Sequence, residues 1–112
     1  MATEDDLRRI VLALPGTEER PGYGGRPSFK VRGRGFAGIW KDHASVSLSV
    51  ESPLERDALV SGEPDKFFTT PHYGPDSARL LVRLAAVDVD ELTELVTESW
   101  RAAAPDDLLG GD

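Results

Sequence analysis

Two histidines, one adjacent pair of glutamates and one glycine-spaced stretch are the first residues in this 112-residue chain that could do chemistry. A transition-metal site needs three or four ligands at close spacing. His43 and His72 stand far apart in the chain with no clustered carboxylate, so no metal centre is expected. There is no cysteine, which removes disulfides, thiolate ligation and cysteine nucleophiles together. No G-x-S-x-G elbow is present. Glu18 and Glu19, in a glycine-rich segment, are the one carboxylate pair to follow as catalytic. The other acids gather at helix starts, where the helix dipole accounts for them. The expectation is a protein that is not an enzyme and carries no cofactor.

Residues 33–38 read GRGFAG, which matches G-x-G-x-x-G letter for letter. A dinucleotide fingerprint requires a helix to start at those glycines, because the helix N-terminus supplies the amides that hold the pyrophosphate. The next residues are Ile39-Trp40 and a polar turn, so the glycines serve a hairpin and the strand leaving it.

The remaining candidate is a surface. Arg20, Arg26, Lys30, Arg32, Arg34 and Lys41 fall within 22 positions that contain no acid, so the stretch carries +6 in a chain whose total is −7, leaving −13 to the other 90 residues. This split predicts one basic face on an acidic body. Arginines, hydroxyls and an aromatic are the groups that contact phosphates and sugars, and Tyr23 lies within the same stretch. With all six cations on the phosphates of a duplex, the salt slope is about −5. A second constellation is aromatic: Gly22 to Gly25 with Tyr23, Trp40, His72 and Tyr73 can line a pocket at the rim of the sheet.

These residues need a scaffold. Thr3 and Asp6 form a capping box, and Leu7, Ile10, Val11 and Leu14 make one apolar stripe that ends at Pro15-Gly16. TEERPGYGGRP then reads as a mobile loop. From residue 28 to 50 the pattern has period two, with Phe29, Val31, Val46, Leu48 and Val50 facing in and Ser45, Ser47 and Ser49 facing water. Ser52-Pro53-Leu54-Glu55 opens a second helix that ends at Gly62. PDKFFTT contains a short helical turn, HYG leads into a strand, and ARLLVRL is a clearer one. Asp88 and Glu91 start the last helix, which buries Leu92, Leu95, Val96 and Trp100 and runs to Pro105. The order α-β(3)-α-β(2)-α predicts an α+β, two-layer sandwich with one antiparallel sheet packed against helices. Residues 1–104 form its single domain and 105–112 a flexible acidic tail. No apolar run suits a membrane, and the acidic start is unlike a signal peptide, so a cytoplasmic monomer is expected.

Several stretches taken in order resemble the MmcQ/YjbR family of small bacterial proteins: ALPGTEE, PSFKVRGRGFA, FFTTPHYG, ARLLVRL and ELTELVTESWRAAAP. The resemblance covers about residues 3 to 104. It implies a single α-β(3)-α-β(2)-α domain and a DNA-binding role through two wings. Here the first wing corresponds to Phe29–Trp40, with Arg34 at its tip, and the second to His72–Arg83. The favoured function is thus a DNA-binding module using Arg20, Tyr23, Arg26, Lys30, Arg32, Arg34 and Lys41. The alternative is a pocket around Trp40, His72 and Tyr73 for an anionic small molecule or a protein partner.

Overall fold

Each helix starts at the cap its sequence supplies. In the computed structural model, which describes residues 1–109, Thr3 and Asp6 cap α1 (Glu4–Leu12) reciprocally. Ser52 caps α2 (Pro53–Gly62), and Asp88 caps α3 (Val89–Ala103). Side-chain oxygens thereby satisfy amides that a helix start leaves unpaired.

The sheet has six strands: β1 (Thr17–Pro21), β2 (Pro27–Val31), β3 (Arg34–Ile39), β4 (Ser45–Ser49), β5 (Phe67–Phe68) and β6 (Arg79–Arg83). They lie in the order β1-β2-β3-β4-β6-β5, and every neighbouring pair is antiparallel. The fold is α+β, with the three helices layered on one face of the sheet. The core is built from Leu7 and Val11 of α1, Leu92, Val96 and Trp100 of α3, and inward residues such as Phe29, Val31, Val46, Leu48, Leu80 and Val82. Two long-range hydrogen bonds pin α3 in place. The Trp100 indole N–H donates to the Pro15 carbonyl at 3.0 Å, and the Ser99 hydroxyl to the Phe36 carbonyl at 3.1 Å.

Four expectations need correction. TEERP is not a loop: it pairs residue by residue with β2 as an edge strand, from Thr17 opposite Val31 to Pro21 opposite Pro27. The order is therefore α-β(4)-α-β(2)-α. HYG is a run of turns, with Tyr73 N–H donating to Thr70 O and Gly74 N–H to Pro71 O, and the strand lies earlier, at Phe67–Phe68. The segment expected as a second wing is those turns followed by β6. The serine ladder does not face water: Ser45 is 1% exposed and Ser47 5%. Tyr73 of the 70–77 turns covers Ser47, and Asp42 of the adjoining turn accepts from the Ser45 hydroxyl; a strand pattern alone cannot report a cover supplied from elsewhere in the chain.

The hairpin tip is Arg32-Gly33, both with positive φ (50° and 83°), between paired Val31 and Arg34. This is the backbone a two-residue turn with the twist of its strands requires, and glycine or asparagine suits it better than arginine. Arg32 also pairs with Asp107 at 3.3 Å, an exposed contact of small worth. Arg32→Asn is expected to raise Tm by about 2–4 °C in calorimetry, from a gain of about 0.5 kcal/mol. A lower Tm would show that the Asp107 pair outweighs the backbone strain. Of segment 105–112, Asp106–Leu108 forms a turn whose Leu108 packs against the core, and residues 110–112 lie outside the described part.

Candidate functional site

The face of the sheet turned away from the helices is set by strand register. One row across it reads Arg20, Ser28, Gly38, Ser47, Leu81 and Phe68. Lys30 extends the face on β2, while Ser49 stands opposite Arg79 and Ser45 opposite Arg83. Without side chains at Gly35 and Gly38, the middle of this face is hollow.

Tyr73 roofs the hollow. Its hydroxyl lies 2.9 Å from Ser47 Oγ, and its ring lies 5.6 Å from Trp40 and 6.0 Å from His72. The Arg56 guanidinium of α2 holds this roof. It is 4% exposed and donates to the carbonyls of Gly74 (2.9 Å), Ser77 (2.8 Å) and Pro75 (3.2 Å). At the opposite rim a tight turn at Tyr23–Gly25 presents Tyr23 with 90% of its surface exposed. The Arg26 guanidinium sits 5.7 Å from the Tyr23 ring and donates through Nε to Ile39 O at 3.3 Å. Asp42 fastens the β3–β4 turn through the Ala44 and Ser45 amides and the Ser45 hydroxyl. That turn sets Lys41 Nζ 5.5 Å from the Trp40 ring.

Between these rims runs a groove of about 650 Å³, with Tyr23, Arg26, Trp40 and Lys41 on one side and Thr70 to Tyr73 on the other. Thr70 Oγ1, on its wall, is the one buried side-chain polar atom without a partner among the described residues. A smaller recess of about 150 Å³ continues beneath, lined by Gly22, Ser28, Gly38, Ser47, Arg26 and Arg79 among others. Burial pushes the Arg79 guanidinium below its ordinary value, and the Tyr73 hydroxyl partly opposes this. Its one side-chain hydrogen bond among the described residues is to Ser49 Oγ, at 2.7 Å.

The structure thus brings Tyr23, Arg26, Trp40, Lys41, His72 and Tyr73 into one groove and places Lys30 on the same face. The others lie away from the groove, Arg20 at the far edge of the same face. Arg20 is on edge strand β1 and pairs with Glu18 at 3.2 Å. Arg32 is at the hairpin tip with Asp107, and Arg34 lies at the end of the sheet beside Ala102 and Ala103. Glu18 and Glu19, followed as a catalytic pair, point to opposite faces of β1, and Glu19 is held by Arg8 at 2.7 Å. Arg26, Lys30, Arg34, Lys41, Arg79 and Arg83 are the cations that form no ion pair among the described residues. Five of these six belong to the outer face or its rim. The helical side is the reverse: Glu51, Glu55, Glu63, Glu91, Glu94 and Glu98 rim the cleft between α2 and α3. Sequence reading missed Arg79, Ser47 and Arg83 as site residues. The period-two phase of RLLVR, with Leu80 and Val82 inward, was the signal that could have placed Arg79 and Arg83 on this face.

Comparison with known proteins gives the site its setting. The family model YjbR matches residues 12–102. The uncharacterized protein Rv2570 of Mycobacterium tuberculosis is 34% identical over 122 aligned positions, spanning 97% of this chain and 94% of the relative. The uncharacterized protein Mb2600 of Mycobacterium bovis matches to the same extent. The crystal structure of Deinococcus radiodurans protein DR2400, of domain DUF419, superposes with a TM-score of 0.70 at 27% identity, covering 100% of this chain and 96% of that one. No helix among the described residues is long and apolar enough to cross a membrane.

Proposed function

The chain belongs to the YjbR family, and we propose that it is a non-enzymatic nucleic-acid-binding protein that lays a single strand across the outer face of its sheet. The observation that carries this is the sorting of charge. Cations without a carboxylate partner collect on the outer face beside the aromatics, while six glutamates rim the helical side, and Glu51, Glu55 and Glu94 among them form no ion pair among the described residues. An anionic polymer is therefore attracted to one side and repelled from the other, which orients it despite a net charge of −7.

A single strand suits this face better than a duplex. Tyr23, Trp40, His72 and Tyr73 offer ring faces on which unpaired bases stack, and a duplex hides its base faces. The hairpin expected to enter a groove is short, and its tip arginine is tied to Asp107. Arg26, Lys30, Lys41 and Arg79 supply four phosphate contacts, which predicts a log–log salt slope of about −3 for single strands.

The test is anisotropy of a labelled 12-nucleotide mixed-sequence strand, alone and annealed to its complement, over a salt series. Tighter binding of the single strand with a slope near −3 is expected. No binding of either at low salt would remove the reading. Tighter binding of the duplex would restore the hairpin mode instead.

A further inference from the structure

We propose that the recess beneath the aromatic groove is a phosphate seat, so that the unit recognised is a nucleoside phosphate with its base in the groove and its phosphate between Arg26 and Arg79. This rests on the reading above and goes further, since it assigns a defined subsite to one phosphate.

The two cavities are continuous, sharing Tyr23, Arg26, Trp40 and Tyr73 in their walls. The upper one is aromatic, with Trp40 and Tyr73 meeting at 58°. The lower one holds two guanidinium groups and the hydroxyls of Ser28, Ser47 and Tyr73. Its volume of about 150 Å³ has room for a tetrahedral oxyanion, and its lining of guanidinium groups and hydroxyls suits an anion better than an apolar ring. A half-buried charge without a counter-ion is costly unless a ligand supplies one. Arg79 is such a charge: it is fixed by Ser49 and forms no ion pair among the described residues. Arg26 is fixed from the other side by the Ile39 carbonyl, so both forks are oriented in advance, which is how arginine recognises phosphate.

Glycines keep the seat open. A Cβ on Gly22 would stand 3.0 Å from Ser28 Cβ and 3.2 Å from the Arg26 carbonyl oxygen, so a side chain there would crowd the wall of the recess. A Cβ on Gly38 would meet nothing closer than 3.6 Å, so β3 has room for a side chain that would occupy the recess instead.

Adenosine 5′-monophosphate, adenosine and inorganic phosphate serve as probes, followed by amide shifts and by Trp40 emission. The monophosphate is expected to move Gly22, Gly38 and Arg79 together with Trp40 and Tyr73, and to bind at least about tenfold tighter than adenosine. Arg79→Gln and, independently, Gly38→Val are expected to remove that advantage while leaving adenosine binding unchanged. Gly38→Val adds a strand-compatible side chain and no charge, so it tests the seat even if Arg79→Gln perturbs folding. Equal binding of nucleoside and monophosphate, or equal binding by wild type and Gly38→Val, overturns the proposal. A single strand that binds wild type and both variants alike would sink the seat and leave the nucleic-acid reading standing. Monophosphate binding that depends on Arg79, with no strand bound, would do the opposite. A phosphotyrosine peptide that outcompetes the monophosphate would show that the seat serves a protein ligand and would overturn the nucleotide assignment.

Discussion

Replacing Arg56 by methionine is expected to destabilise the protein by about 3–5 kcal/mol, the cost of removing one charged donor from three backbone carbonyls. Three backbone carbonyls, of Gly74, Pro75 and Ser77, have the Arg56 guanidinium as their partner. Methionine fills much of the same volume but donates nothing, so those carbonyls would be left buried or would turn toward water. Turning toward water means unfolding the 70–77 turns, and Tyr73 would then leave Ser47 and the groove would lose a wall. At about 4 °C per kcal/mol, Tm should fall by at least about 12 °C. The near-ultraviolet signal of Trp40 should change even well below the transition. Arg56→Lys keeps the charge but not the fork, and an intermediate loss is expected. A Tm within about 3 °C of wild type for Arg56→Met would show that the roof is held by other contacts.

Reversing two charges on the outer face, Lys30→Glu with Lys41→Glu, is expected to weaken single-strand binding about 100-fold at low salt. Neither lysine is engaged in an ion pair among the described residues, but Lys30→Glu sets a carboxylate directly opposite Glu18, so a stability loss of up to about 1 kcal/mol is expected, too small to unfold the protein. Two of four phosphate contacts disappear, so the salt slope should fall from about −3 to about −1.4. Arg101→Glu on α3 is the control for net charge, compared with Lys30→Glu alone so that one charge is reversed in each. It also reverses a charge, but Arg101 lies on the helical side, where it pairs with Glu98 at 2.6 Å. A similar loss of affinity from Arg101→Glu would mean that net charge, and not the outer face, governs binding.

Much of the scaffold was legible because the signals were local. Thr3, Ser52 and Asp88 each announce a helix within four residues, and each caps one. The alternation of Val46 and Leu48, and of Leu80 and Val82, marks strands whose inward faces are buried. TEERP was illegible because an edge strand facing water needs no apolar alternation; charged residues and a terminal proline are what such an edge tolerates best. Its strand identity comes from β2 alone. At Phe36 and Ala37 adjacent residues are both buried, because the register shifts between Phe29 and Lys30 and inserts a bulge. Period-two reading cannot anticipate that shift.

The site was half legible. Aromatics and cations of residues 23–41 could be grouped because they are neighbours in sequence, and Tyr73 and His72 could be added as ring-bearing residues at a strand entrance. The long-range closure could not be read. Arg56, in SPLERDALV, looks like any solvent-facing helix arginine, and nothing local reports the three carbonyls it meets. Ser47, read as exposed, is covered by Tyr73 from 26 positions away. Arg32, counted among the phosphate-binding cations, is drawn to Asp107, which was assigned to a flexible tail.

The central claim, that a single strand lies on the outer face of the sheet, is tested most directly by amide shifts of the labelled protein. A 12-nucleotide mixed-sequence strand would be added at about 50 mM salt and again at about 200 mM. Shifts concentrated at Arg26, Lys30, Gly38, Trp40, Lys41, His72, Tyr73 and Arg79, and reduced at the higher salt, are the predicted result. Shifts confined to α1 and α3, or none at the lower salt, would contradict it.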